Sequence, residues 1–166
     1  LAMRDSKSKA LFASVVPRKG RDEFVVSRVV EAVEWLGYSE IFLKSDNEPA
    51  IRALVKDALR AVKVRCEDVD EAKLEHSPPH ESQSNGGAEN AIRNIRRYLR
   101  SIKSCLEDRL NAVIDPKHPV MEWMVPYTAT MMNIMHKGTD GLTVWARVKG
   151  RAFNRDLVGF GETCLY

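Results

Sequence analysis

The sequence predicts an α/β protein, and three observations support that class. Short apolar runs of the kind that form β-strands alternate with longer segments whose apolar residues recur at helical spacing. Glycine and proline stand where helices are expected to end and to begin. The chain has 166 residues, which is enough for one domain with a buried core around a mostly central sheet.

The first half of the chain predicts strands and helices in alternation. The segments "LAMRD" and "KALFASVV" predict two strands joined by the polar turn "SKS". A helix is predicted over residues 24–36 and ends at Gly37, although its valines leave a strand as an alternative. The run "EIFLKS" predicts a buried strand, and Pro49 opens a helix that reaches about Val62. "VKVRC" predicts another short strand, and the acidic, proline-containing residues 67–81 predict a loop.

The second half is predicted to be mainly helical. An arginine-rich helix is expected over about residues 88–110, and a further long helix over about 120–136. "GTDGLT" predicts a turn, "VWARVKG" a short helix, and "TCLY" the start of a strand. The resulting order is ββαβαβααα. We assign residues 1–150 to the domain, and residues 151–166 to a linker and the start of a following segment.

Composition indicates a soluble globular protein. Hydrophobic residues make up 44% and charged residues 30%, and the net charge of +3 is compatible with nucleic acid without requiring it. The charge-free run 123–135 is too short to span a bilayer, and no signal segment opens the chain, so a nuclear or cytoplasmic location is expected, not secretion. The 3 cysteines are far apart and odd in number, which predicts neither a disulfide framework nor a zinc site.

The arginine-rich helix carries a row of charged residues on one face. At about 100° per residue, five charged side chains fall within about 80° of one another, namely Glu89, Arg93, Arg96, Arg100 and Lys103. An apolar stripe lies elsewhere on the same helix and comprises Ile92, Ile95, Leu99, Ile102 and Leu106. Four cations at one-turn spacing predict contacts with a phosphate backbone. The alternative is a solvated face on which Glu89 and Arg93 form an i, i+4 ion pair.

A second candidate feature follows the predicted strand "EIFLKS". Asp46 stands at its C-terminal end, the rim at which open α/β sheets bind ligands, and Lys44 and Asn47 are expected to line the same rim. With Glu89, Asp46 offers two carboxylates, the ligands that Mg²⁺ and Mn²⁺ prefer in phosphodiester chemistry. The alternative is that Asp46 or Asn47 simply caps the helix that begins near Pro49.

Three segments resemble the catalytic cores of retroviral and retrotransposon integrases. "LKSDNEPAI" is similar to the second-aspartate motif of that family, and "ESQSNGGAEN" resembles its glutamate motif. The segment "HPVMEWMVPYTATMMNIMHKGTDGLTVWARVKG" resembles the family's closing part, with Asn133 on a helix and Val144 where proline is usual. The pattern is most similar to integrases of long-terminal-repeat elements, copia-like polyproteins in particular.

The resemblance implies an RNase H-like fold, with a mixed central sheet flanked by helices, and a function in DNA integration. Such enzymes trim a DNA 3′ end and then use the new 3′-hydroxyl to attack a target phosphodiester. For this chain it implies Asp46 and Glu89 as catalytic metal ligands, with Mg²⁺ or Mn²⁺ as the cofactor. It also implies element and target DNA as partners, and a homo-oligomer. The DNA contacts would be Arg93, Arg96, Arg100, Lys103, Lys44 and Asn47.

The spacing of the two acids departs from the family pattern. Residues 47–88, 42 in number, separate Asp46 from Glu89, which is more than the family has. We place the excess in the predicted loop 67–81, which can lengthen without moving a strand or a helix. Glu81 lies closer to the family spacing, but it precedes the Gln-Ser-Asn-Gly run and the basic helix, so Glu89 is preferred.

The family also requires a third acid, on the first strand of the sheet. Asp5 is the only candidate before the first helix, but just one further strand follows it where the family has two. We therefore predict that Asp5 lies near a hairpin turn and that the first catalytic aspartate precedes Leu1; Asp5 as the first acid is the alternative. On this interpretation the chain is N-terminally truncated and inactive by itself. A catalytically dead DNA-binding or assembly relic remains the rival function.

Overall fold

The computed structural model describes residues 1–45, 48–76 and 86–163, and its elements follow the predicted order. In chain order they are β1 (Ala2–Arg4), β2 (Leu11–Ala13), α1 (Glu23–Leu36), β3 (Glu40–Ser45), α2 (Pro49–Arg65), β4 (Glu71–His76), α3 (Gly86–Leu110), α4 (Val120–Met135) and α5 (Val144–Lys149). The α/β class is confirmed. Within the described residues, the strands form two separate two-stranded sheets instead of the single central sheet that was expected.

The chain divides into two compact units. The first comprises Leu1 with Val16–Gly86, and the second comprises Ala2–Val15 with Gly87–Tyr166. In the first unit, α1 and α2 pack on a parallel pair, β3 and β4, aligned from Glu40 opposite Glu71 to Ser45 opposite His76. Its buried core consists of Val30, Val33, Ile41, Val62, Cys66 and Ala72.

Helix α1 begins and ends as its sequence predicts. The carboxylate of Asp22 accepts a hydrogen bond from the Phe24 N–H at 3.0 Å, which caps the first turn. Gly37 ends the helix in the left-handed conformation, with φ of 66°, which a residue without Cβ adopts at low cost. The alternative of a valine-rich strand in this segment is therefore wrong.

Two predictions in the first unit are wrong. "VKVRC" is not a strand: α2 continues through Arg65, because Leu54, Ala58 and Val62 repeat at helical spacing on its buried face. Residues 67–81 are not wholly a loop, since Glu71–His76 form β4. There Ala72 is buried between charged neighbours, a two-residue alternation that the acidic composition concealed.

Strand β3 exists where predicted but is less buried than expected. Of its six residues only Ile41 is buried, and Phe42 on the opposite face is 56% exposed. Because side chains alternate across a strand, Ile41 lies on the face of the β3–β4 pair that packs on the helices, and Phe42 lies on the other face.

The second unit is built on a hairpin and two long helices. β1 pairs with β2 antiparallel, and Leu11 and Ala13 of β2 enter a core formed with α3 and α4. The helices contribute Ala91, Ile95, Ala129 and Met132 to that core. A second cluster in the same unit contains Leu106 of α3, Met124 of α4, and Ile114 from the connection between these two helices.

The C-terminal segment packs against this unit. The Phe153 ring contacts Trp145 of α5, and the Phe160 ring contacts Tyr127 of α4, each at 5.0 Å between ring centroids. The Tyr127 hydroxyl donates to the Val158 carbonyl at 3.0 Å. The strand expected at "TCLY" involves residues 164–166, which lie outside the described residues. In the described ranges, no helix has the length and apolarity needed to cross a bilayer.

Candidate nucleic-acid interface and its carboxylates

Helix α3 begins at Gly86, within the motif ESQSNGGAEN that resembles an integrase glutamate segment, so Glu89 lies in its first turn. The guanidinium of Arg4, on β1, lies beside the first turn of this helix. A Cβ built on Gly87 would stand 2.5 Å from Arg4 Nη1, so glycine leaves the room that Arg4 occupies. The sequence did not indicate that Arg4 lies beside the start of α3, because the contact depends on how the hairpin packs.

The apolar side of α3 lies where helical spacing predicts it. Ile95 and Leu106 are buried, and Ile92, Leu99 and Ile102 are half-buried. Ala91 is also buried, against Leu11 and Ala13 of β2, so the contact face turns slightly toward that residue. The apolar side fixes the rotation of the helix and leaves the charged side in solvent.

The charged row of α3 is exposed and largely free of ion pairs. Glu89, Arg93, Arg96 and Arg100 are all exposed on one side of the helix. Among the residues that the structure describes, none of these four side chains forms an ion pair, so the alternative Glu89–Arg93 pair is not present. The structure thus brings four of the predicted site residues to one open surface.

Lys103 differs from the rest of the row. Its side chain is only 22% exposed and forms an ion pair with Glu107, one turn further along α3. The hydrogen bond from Lys103, together with one from the Ile114 N–H, lowers the pKa of the Glu107 carboxyl. The Lys103 charge is therefore already balanced within the helix, unlike those of the three arginines.

The predicted rim around Asp46 is described only in part. Asp46 and Asn47 lie outside the described residues, as does the rival acid Glu81. Lys44, on β3, forms an ion pair with Glu75 at the paired position on β4, at 3.1 Å. Glu48 occupies the N-cap position of α2.

Asp5 lies at the hairpin turn, as predicted. Its Oδ2 accepts hydrogen bonds from both the N–H and the hydroxyl of Ser8, each at 2.6 Å, and Ser8 is buried. The Asp5 N–H donates to the Ala10 carbonyl at 2.9 Å. These bonds give the carboxylate a structural role in closing the turn between β1 and β2.

Of the two predicted metal ligands, Glu89 lies within the described residues. Its carboxylate is exposed and carries no ion pair among the described residues, so it is available as an oxygen ligand of the kind that Mg²⁺ prefers. In the described ranges, three or more His, Cys, Asp or Glu side chains do not gather at one place. Asp46, the other predicted ligand, lies outside those ranges.

Comparison with solved structures shows a similar fold. The chain resembles a chain in the electron cryomicroscopy structure of the simian T-cell lymphotropic virus intasome in complex with PP2A regulatory subunit B56 gamma. The TM-score is 0.64 and the sequence identity 16%, over 99% of this chain and 53% of that chain, so this chain spans about half the length of its neighbour. No protein-family model and no curated protein sequence matches the chain. At that identity, the likeness is one of fold.

Proposed function

We propose that this chain is an integrase core of a long-terminal-repeat element, of the copia-like type and with an RNase H-like fold. Its activity would be metal-dependent 3′-end processing and strand transfer of element DNA into a target duplex. The observation that carries the proposal is the exposed row of Arg93, Arg96 and Arg100, which begins one turn after Glu89 and directly behind the glutamate motif. The fold likeness to a chain in a retroviral intasome structure supports an integrase-related role.

The geometry of the row suits a phosphate backbone. At 1.5 Å per residue, Arg93 and Arg100 are about 10 Å apart along the helix axis, which corresponds to about three phosphates of one strand of B-DNA. Guanidinium groups bind phosphate oxygens with two parallel hydrogen bonds, and here the row has no carboxylate partners among the described residues to compete.

The two carboxylates would serve the reaction. Asp46 and Glu89 are proposed to hold Mg²⁺ or Mn²⁺, while the arginines hold the DNA in register. When bound, the ion would stabilise charge on the attacking and leaving oxygens of the phosphodiester. A homo-oligomer in the nucleus, or in a cytoplasmic retroelement particle, is part of the same proposal.

A binding-only role is the second candidate, because duplex binding by the exposed arginines of α3 requires no carboxylate. The Asp5 carboxylate accepts two hydrogen bonds in the hairpin turn, which agrees with both candidates. A relic that retains the basic helix would bind DNA without cleaving it.

Salt dependence tests the DNA-binding part of the proposal. Duplex affinity should fall steeply with salt, because each neutralised phosphate releases counterions. The double variant Arg93→Ala, Arg96→Ala should reduce the slope of log K against log salt by about 2, one unit per contact. Lys56→Ala, an exposed lysine on α2, is the matched control and should leave the slope unchanged. An unchanged slope in the double variant would exclude the row as the DNA contact.

Strand transfer by a protein that also carries the predicted first aspartate, compared with its Asp46→Asn and Glu89→Gln variants, separates the two candidates. Mg²⁺-dependent product that is lost in Asp46→Asn and in Glu89→Gln, with duplex binding retained, is expected of an enzyme. Equal product from all three proteins would mean that these carboxylates are structural. Duplex binding without product from any of them would favour the binding-only role.

A further inference from the structure

A pocket of about 280 Å³ lies in the second unit, between the middle of α3 and the C-terminal end of α4. Around the helix axis, Tyr98 stands about 140° from Arg93 and about 160° from Arg100, so its side of α3 is not the side of the arginine row. The proposed DNA contact therefore does not account for the pocket. Six residues line it, namely Asn94, Arg97, Tyr98, Ser101, Met132 and His136.

The polar part of the lining favours a negatively charged ligand. Arg97 is exposed, and its guanidinium has no ion-pair partner among the described residues. Asn94 adds an amide donor, and His136 adds a ring N–H. The Ser101 hydroxyl lies 3.5 Å from the Arg97 carbonyl, at the limit of a hydrogen bond, so a ligand can compete for its proton. The lining contains no carboxylate, so an anion meets attraction without a competing acid.

The rest of the lining is aromatic and apolar. Tyr98 is 45% exposed, and its ring meets His136 edge-on, at 6.3 Å between ring centroids and 66° between ring planes. Buried Met132 supplies a thioether, which makes favourable contacts with aromatic rings. A ligand that carries a ring beside its charge would therefore contact both parts of the lining.

The volume of the pocket also favours a ring. A cavity of about 280 Å³ has room for about nine water-sized groups, at about 30 Å³ each. A carboxylate group alone would leave most of that space to water. An aromatic ring that carries a phosphate group would fill it.

The exposure of the lining indicates that the ligand is one side chain of a polypeptide. Four of the six lining residues are exposed, namely Arg97, Tyr98, Ser101 and His136, so the pocket is shallow. Sites for free small molecules bury about 70–90% of the ligand surface, which a shallow pocket does not do. A side chain of a longer polypeptide needs only its end covered, because its neighbours add contacts outside the pocket.

We propose that this pocket receives a phosphotyrosine side chain of a partner polypeptide. Arg97 binds the phosphate with two parallel hydrogen bonds, and Asn94 donates a further one. Tyr98 and Met132 contact the ring. The site is separate from the arginine row, so the inference goes beyond the proposed function and assigns the chain a protein partner.

Nuclear magnetic resonance titration of the isotope-labelled protein tests the proposal with four probes. These are inorganic phosphate, phenyl phosphate, thymidine 5′-monophosphate, and a short peptide with one phosphotyrosine between alanines. The amide signals of Tyr98, Ser101 and His136 should shift. Phenyl phosphate should bind about tenfold more tightly than inorganic phosphate, because its ring is buried against Tyr98 and Met132. The peptide should bind more tightly than phenyl phosphate, because it adds contacts outside the pocket.

Variants of the lining separate the charge from the ring. Arg97→Gln should weaken peptide binding about tenfold or more, because it removes hydrogen bonds between two charged groups and retains a polar side chain. Tyr98→Leu should remove the preference for phenyl phosphate over inorganic phosphate, and Tyr98→Phe, which keeps the ring, should retain it. Arg52→Gln is the matched control, since Arg52 is an exposed arginine on α2 without an ion-pair partner among the described residues.

Equal affinity for inorganic phosphate and phenyl phosphate would overturn the proposal, as would equal losses in the Arg97 and Arg52 variants. Tighter binding of thymidine 5′-monophosphate than of the peptide would assign the pocket to nucleotides. Phenyl phosphate that binds as tightly as the peptide would assign it to a free small molecule. Either result would also overturn the proposal. Duplex binding is measured separately through Arg93 and Arg96, so failure of the pocket and failure of the proposed function remain distinct.

Discussion

Both polar atoms of the Asn133 side chain bind the backbone of Leu11, 122 residues away in sequence. Its Oδ1 accepts from the Leu11 N–H at 2.9 Å, and its Nδ2 donates to the Leu11 carbonyl at 2.8 Å. Both residues are buried. One amide side chain on α4 therefore satisfies a donor and an acceptor of β2 that would otherwise be buried without partners.

Replacing Asn133 should destabilise the protein strongly. Asn133→Leu keeps the approximate volume but leaves the Leu11 N–H and carbonyl unpaired, which should cost about 2 to 4 kcal/mol in the free energy of unfolding. Urea denaturation measures the loss. Thr130→Ala, at an exposed position of the same helix, is the control and should change the free energy of unfolding by less than about 1 kcal/mol. A similar small loss in Asn133→Leu would show that water replaces the amide.

The ion pair between Arg147 and Asp140 predicts that the folded protein loses stability in acid. The Arg147 guanidinium donates to both carboxylate oxygens of Asp140, at 2.9 and 2.6 Å, and to the Ser8 carbonyl at 2.9 Å. The Arg147 hydrogen bonds, with one from the Leu142 N–H, lower the pKa of Asp140 from 3.8 to about 2. Because the folded-state pKa is the lower one, this stabilisation is fully present above the unfolded-state pKa and is lost as the pH falls toward 2.

Asp140→Asn should therefore flatten the decline of the unfolding free energy in that acid range. Denaturant titrations from pH 5 down to pH 2, at intervals of about one pH unit, measure this decline in the free energy of unfolding. Asp156→Asn, at an exposed position, is the matched control. If both variants follow the native pH profile, the Arg147–Asp140 pair contributes nothing to acid sensitivity.

The pKa of the Tyr127 hydroxyl should show whether the C-terminal segment is packed on α4. Burial, followed by the nearby charge of Glu162, raises the pKa of the Tyr127 hydroxyl. Phe160→Ala removes the ring that packs on Tyr127, so the pKa should fall toward 10.0. Ultraviolet titration of tyrosinate measures the change, and Tyr127→Phe identifies its signal. Phe153→Ala, which removes the contact with Trp145, is the control and should leave the Tyr127 pKa unchanged. An equal shift in both variants would mean that the C-terminal segment is destabilised as a whole and that the Phe160 contact has no specific effect.

Local signals account for what the sequence predicted correctly. Gly37 and the valine spacing define α1, and Pro49 marks the start of α2, because both depend on backbone preferences of single residues. The end of α2 and the position of β4 were missed. Val62 and Ala72 belong to one buried cluster, and burial there depends on contacts with α1 and β3 that no short window contains.

The candidate site also contains features that local sequence predicts and features that depend on packing. The exposed row on α3 follows from helical spacing alone, whereas the Lys103–Glu107 pair, which i, i+4 spacing also allows, was not predicted. The Lys44–Glu75 pair was not predicted, because it requires β4, which had been interpreted as a loop. The contact between the Tyr98 and His136 rings requires α3 and the end of α4 to meet, so only packing reveals it.

The two hydrogen bonds between the Asn133 side chain and the Leu11 backbone have a consequence for solubility. In the antiparallel hairpin, the Asp5 N–H donates to the Ala10 carbonyl, so the backbone groups of Leu11, the next residue, face away from β1. A bare strand edge of that kind invites the addition of a strand from another molecule, the first step of β-aggregation. At Leu11 the donor and the acceptor are already engaged by α4. Loss of that amide should favour molecules in which β2 has separated from α4, and it should therefore appear as turbidity that rises with protein concentration.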